Sequence, residues 1–195
     1  SIQLANLSGL KERLERVAGL KIKTAERGIR VGQNLFGGEI EEEIEELSGK
    51  RVIGIVEKVK LIGKDGKEIE VEAKIDTGAD STSIDTELAK RLGFGDVLKF
   101  FETIEKPDDF PRDKAKEIEA ELGERYAGAH PDLANLLLVY SASGVTLRPK
   151  VKLSFVMDSV EVAATVTITD RLQLSYPVII GRKNLGKFLV DITKR

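Results

Sequence analysis

The spacing of apolar residues changes character near residue 51. Before it, Leu4, Leu7, Leu10, Leu14 and Val17 recur at helical intervals, with Ser8 as a candidate N-cap and Glu12 shortly after it. A glycine-rich stretch runs from Gly28 through Gly37 and Gly38. An acidic run over 39–47 then sets Ile40, Ile44 and Leu47 on one helical face, with Gly49 as its stop. These features predict a helical N-terminal extension over 1–50. Its acidic arm reads as a solvated helix face, or more sharply as a propeptide-like inhibitor lying across a cleft.

From Arg51 onward the period is that of strands. Residues 52–59 read as one strand. Asp65-Gly66 supplies a hairpin turn, and Ile69, Val71, Ala73 and Ile75 alternate inward along a half-buried strand that ends at Asp76. A short helix is predicted over 83–92, stopped by Gly93. Residues 95–135 hold most of the prolines and a helical stretch over 114–126, and are expected to form an insertion packed outside the core. Strand texture returns over 136–140, 151–155 and 160–168. It resumes at Val178-Ile179-Ile180-Gly181, followed by a short helix and a closing strand over 188–192. Many short strands and few helices predict a mostly-β closed barrel over 51–195.

Composition narrows the chemistry. The chain has 195 residues and a formal net charge of −2, so it carries no basic surplus for a phosphate backbone, and nucleic acid is not expected as a partner. It has no cysteine and one histidine, His130, which excludes thiolate chemistry and a multi-histidine metal centre within one chain. His130 precedes Pro131 in a polar loop and reads as a solvent-exposed residue. No apolar run is long enough to suggest a membrane span. The N-terminus does not read as a signal peptide, so a cytoplasmic setting is expected. The start at Ser1 leads to the expectation of a fragment or a processed form.

The informative segment is Lys74-Ile75-Asp76-Thr77-Gly78-Ala79-Asp80-Ser81-Thr82. An apolar strand delivers a carboxylate to a tight turn, where Gly78 allows close backbone approach and the Thr77 hydroxyl can brace the loop. Together with Ile179-Ile180-Gly181-Arg182, this segment closely resembles the retropepsin family, which includes the retroviral proteases. The resemblance covers roughly residues 51–192, less the insertion. Lys74, Thr82-Ser83, Arg148-Pro149, residues 167–171, Tyr176-Pro177 and Phe188-Leu189-Val190-Asp191 resemble more closely a prokaryotic retropepsin-like family often labelled "putative ATP-dependent zinc protease". That family is associated with ATP-grasp enzymes that add glutamate to proteins. No Walker loop and no Cys/His cluster accompanies the label here, so neither ATP nor zinc is expected as a cofactor. Asp80 stands where that family usually has a basic or small residue, and is nearer the retroviral pattern.

The resemblance implies a closed retropepsin-like (acid protease) barrel and a homodimeric aspartic peptidase with Asp76 as the single catalytic residue of each subunit. Two Asp76 carboxylates would share one proton, activate a water and polarise a peptide carbonyl. Thr77, Gly78, Ala79, Gly181 and Arg182 would support the site. Asp80 would bind substrate backbone and form a buried pair with Arg182. Residues 140–146 would form a flap, with Ser143 and Gly144 touching substrate, and Lys74, Arg148 and Arg171 would line the cleft. Three cations there would suit an acidic, glutamate-rich peptide, so a specialised amide hydrolase acting on glutamate-rich tails is the alternative activity. A catalytically silent peptide-binding or dimerisation module of the same fold is the non-enzymatic alternative. The implied partners are a second copy of the chain and a peptide or protein substrate. Asp191 is not a second catalytic aspartate, because no Thr/Ser-Gly follows it, and the C-terminal strand is expected at the dimer interface.

Overall fold

The computed structural model describes residues 46–107, 109–141, 144–171 and 174–194. The expected N-terminal helix, the glycine-rich stretch and most of the acidic run lie outside these residues, as does Ser143. In chain order the strands are β1 (Glu46–Leu47), β2 (Lys50–Ile53), β3 (Val56–Ile62), β4 (Glu68–Asp76), β5 (Ser83–Asp85), β6 (Asn135–Ser141), β7 (Gly144–Met157), β8 (Val160–Thr169), β9 (Val178–Gly181) and β10 (Phe188–Val190). The α-helices are α1 (Thr86–Ala89), α2 (Gly95–Thr103) and α3 (Ala115–Arg125).

The fold is mostly β, around a closed six-stranded barrel. Neighbours run β3-β4-β9-β5-β8-β7, and antiparallel pairing of β3 with β7 closes the ring. β4 and β9 pair in parallel, and so do β5 and β8. β6 joins only β7, as a seventh strand outside the ring. A separate sheet orders β1-β2-β10, with β10 parallel to β2.

Local sequence explains most of these elements. The β3–β4 hairpin turns where Asp65 and Gly66 take positive φ of 56° and 70°. Along β4, Ala73 and Ile75 are buried and their neighbours are not, as the alternation predicts. Phe155, Leu61, Ile84, Leu92, Leu136 and Ile180 are among the fully buried side chains of the core.

Four expectations are corrected. Glu46–Leu47, the visible end of the acidic run, is a strand rather than a helix end. Pairing with β2 across a turn at Ser48 and Gly49, both at positive φ, overrides the helical pattern. The single strand expected over 52–59 breaks at Gly54 and Ile55. A Cβ at Gly54 would lie 2.6 Å from the Lys194 carbonyl oxygen, so this break is where the C-terminal tail crosses. The helix expected over 83–92 starts at Thr86 instead, because Ser83–Asp85 is a strand. Gly93 (φ 96°) does break it, kinking against Lys64 before the chain re-enters a helix at α2. The 95–135 segment does not lie outside the core, because Val97, Leu98, Ile104, Leu122 and Leu133 join the same buried cluster. No helix among the described residues is long and apolar enough to cross a membrane.

Candidate active site

Strand β4 carries Asp76 to the rim of the barrel, level with Gly181 on β9. The loop after it folds back on the carboxylate. Asp76 Oδ1 accepts the backbone N–H of Gly78 at 2.9 Å and of Ala79 at 3.2 Å. Two amides on one oxygen fix the side-chain rotamer. Oδ2 makes no hydrogen bond among the described residues.

This loop is then locked to the turn after β9. A Cβ on Gly181 would meet the Ser81 backbone at 2.5 to 2.9 Å, so only glycine fits where the two segments cross. The buried Thr82 hydroxyl accepts the Gly181 N–H at 3.2 Å and donates to Asn184 Oδ1 at 2.7 Å. The Thr82 carbonyl in turn accepts from Thr167 on β8. Backbone bonds add to the lock: Arg182 N–H to the Ala79 carbonyl at 2.9 Å and Lys183 N–H to the Asp80 carbonyl at 3.2 Å.

The support residues inferred from the sequence fall in this crossing. Thr77 accepts from the Arg182 guanidinium through its carbonyl, at 3.3 Å. Asp80 meets Arg182 at 3.3 Å, but it also meets Lys183 at 2.6 Å. These hydrogen bonds, from Lys183 first and Arg182 second, hold the Asp80 carboxyl below its ordinary range. The expectation of a buried Asp80–Arg182 pair is corrected, since their side chains are 60% and 57% exposed. Solvent screens such a pair, and it contributes little to stability.

A second cluster forms around Arg171. Its backbone N–H donates to the buried Asp85 carboxylate at 2.8 Å, and its Nε donates to the Tyr176 carbonyl at 3.1 Å. Asp85 also caps α1 through the N–H of Glu87 and Leu88. Burial, then repulsion from Arg148, weakens the hold of Arg171 on its proton, while Asp85 and Asp76 oppose that effect. Arg171 therefore lies within the electrostatic reach of both Arg148 and Asp76 and remains charged. Lys74 stands exposed on β4, two residues before Asp76, and the described contacts do not join it to either arginine. Gly144, at φ 116°, opens β7 at the tip end of the expected flap.

Three residues of this arrangement escaped the reading of the sequence: Asn184, Lys183 and Asp85. Asp85 carried a signal, a helix-capping aspartate directly before Thr86-Glu87-Leu88, which a helix start at Ser83 obscured. Asn184 and Lys183 carried none, because their partners lie about a hundred residues away. Among the described residues, no three His, Cys, Asp or Glu side chains are placed to share a metal ion.

No family model matches the chain, and no curated protein matches it. Among solved structures, it is similar to a protein of unknown function (DUF785) from Legionella pneumophila subsp. pneumophila str. Philadelphia 1. That similarity has 19% identity and a TM-score of 0.39, and covers 73% of this chain and 93% of the other.

Proposed function

We propose that the chain is one half of a homodimeric aspartic endopeptidase with a retropepsin-like barrel. The observation that carries this reading is Asp76 itself. One carboxylate oxygen is pinned by two amides at a strand end, the other makes no hydrogen bond among the described residues, and the loop beneath is interlocked with Gly181. A carboxylate held this way is oriented before any substrate arrives, as hydrolysis through a bound water requires.

A second copy supplies the second Asp76. Two carboxylates in contact cannot both ionise cheaply, so the dyad holds one proton between them. The ionised member takes a proton from water as that water attacks the carbonyl carbon. The protonated member donates to the carbonyl oxygen, and the amine leaves after the proton is relayed to its nitrogen. No covalent intermediate forms.

The Arg171–Arg148 cluster favours a second reading of the same chemistry, as an amide hydrolase for glutamate-rich tails. Arg171, half-buried and within electrostatic reach of Asp76 and of Arg148, offers a guanidinium to substrate carboxylates.

The test is cleavage of a peptide library and of poly-glutamate by the wild type and by Asp76→Asn. Loss of at least about a thousandfold in kcat/KM in Asp76→Asn is expected, in line with removal of an essential acid–base group. Identical behaviour of the two proteins on every substrate would leave a silent binding module as the reading. Turnover of poly-glutamate alone, lost in Arg171→Ala, would favour the amide-hydrolase reading.

A further inference from the structure

The β6–β7 hairpin is an arm that stands clear of the barrel. Residues of β7 from Lys150 onward pair with β8, and from Ser154 onward also with β3. Residues 144–149 pair with β6 alone. The arm therefore has one edge open to solvent or to another element, and such an edge is mobile unless something holds it.

The helical segment fills that role. Glu119 on α3 accepts the outward-facing N–H of Leu138 in the middle of β6, at 3.0 Å. Nearer the free end, the Tyr140 hydroxyl faces the carbonyls of Phe110 and Pro111 at 3.3 and 3.4 Å. The Arg112 guanidinium lies over the Tyr140 ring, 5.5 Å from its centroid. Beneath these contacts, between α3 and the base of β6, is a cavity of about 450 Å³ lined by Glu119, Gly123, Tyr126, Ala134, Asn135 and Leu136. With a solvent-open groove on that side, these few polar contacts are what hold the arm.

We infer that residues 110–125 form a strap that sets the position and mobility of the β6–β7 arm, with Glu119 and Tyr140 as its positioning residues. The consequence for substrate rests on the peptidase reading, in which this arm covers the cleft. The strap itself does not depend on that reading. Glu119 acts through the Leu138 amide, and Tyr140 through the backbone at Phe110, so neither needs to touch the reacting atoms.

Amide hydrogen exchange on the full chain tests the strap without any substrate. In Glu119→Ala, amides of 135–141 and 144–149 should exchange about tenfold faster, the factor for losing one charge-assisted hydrogen bond, while β3, β4 and β8 stay unchanged. Glu119→Gln keeps an acceptor for Leu138 and should restore slow exchange. Tyr140→Phe should act as Glu119→Ala does, more weakly. Unchanged arm exchange in Glu119→Ala, or equal acceleration throughout the barrel, overturns the strap. On any peptide the wild type cleaves, Glu119→Ala should raise KM by a similar factor with kcat nearly constant. An unchanged KM beside faster arm exchange would overturn the strap's role in substrate positioning. Faster arm exchange in a protein that cleaves nothing leaves the strap standing and counts against the peptidase.

Discussion

Gly181 shows how much of this site rests on a single absent methyl group. Its Cα faces the Ser81 backbone so closely that an added Cβ would sit 2.5 Å from the Ser81 carbonyl carbon. The obstacle is main chain, held by bonds on both sides, so it has no rotamer to escape into. Gly181→Ala is expected to cost at least about 3 kcal/mol in urea denaturation, near the upper end for overpacking. A loss below 1 kcal/mol would mean that the two loops separate easily, and the rigidity claimed for Asp76 would fail with it. Asp76 needs that rigidity because its two amide bonds come from the same short loop.

At the scale of elements, the small β1-β2-β10 sheet buries Ile53 and Phe188 in the common core, and a bidentate ion pair also ties it to the barrel. Arg51 on β2 grips Asp158 in the β7–β8 turn with two parallel bonds, Nε to Oδ2 at 2.7 Å and a terminal nitrogen to Oδ1 at 2.9 Å. Both side chains are mostly covered, and the turn itself is shaped by positive φ at Asp158 and Ser159. The Arg51 hydrogen bond holds the Asp158 carboxyl below its ordinary range. A depressed carboxylate stabilises the fold above its unfolded pKa, and that contribution fades as pH falls through the folded value. Asp158→Asn should therefore cost roughly 1 kcal/mol at pH 7, consistent with a well-formed bidentate pair. The difference from wild type should close as pH drops below about 4, the ordinary carboxylate value. Melting curves of both proteins across that range check the sign, and a gap that widens in acid would refute it.

For the whole molecule, the open question is the second copy. Ile55 and Ile192 are exposed at 43% and 78%, and the tail that carries Ile192 crosses at Gly54, next to Ile55 in the chain. The Asp191 N–H bonds the Ile53 carbonyl, and the Ile75 N–H, one residue before Asp76, bonds the Ile55 carbonyl. Two bare isoleucines on the flank of the candidate catalytic strand are what a self-association surface would offer. β10 pairs with β2 inside the chain and is an edge strand of that sheet. Ile55→Asp combined with Ile192→Asp should weaken the dimer at least about tenfold by sedimentation equilibrium, with peptide cleavage falling in parallel. A wild type that stays monomeric at the concentrations where it cleaves would rule out the shared dyad.

Alternating Ile69, Val71, Ala73 and Ile75, the Asp-Gly turn and the apolar run into Gly181 were enough to read strands and a barrel, because each is a local pattern with period two. The resemblance to retropepsins, rather than the local pattern, implied that Asp76 and Gly181 are neighbours, and the register of β4 with β9 sets them level. Tertiary structure alone decided the rest. Burial of Val97, Leu98 and Leu122 turned an apparent insertion into part of the core, since helical periodicity says which face is apolar but not what it meets. Pairing with β2 turned Glu46 and Leu47 into a strand. The bonds from Thr82 to Asn184, from Asp85 to Arg171 and from Asp80 to Lys183 join residues that only the closed barrel brings together. Hydrogen-bond partners distant along the chain leave no trace in local spacing, so the carboxylate was legible and the lattice that holds it was not.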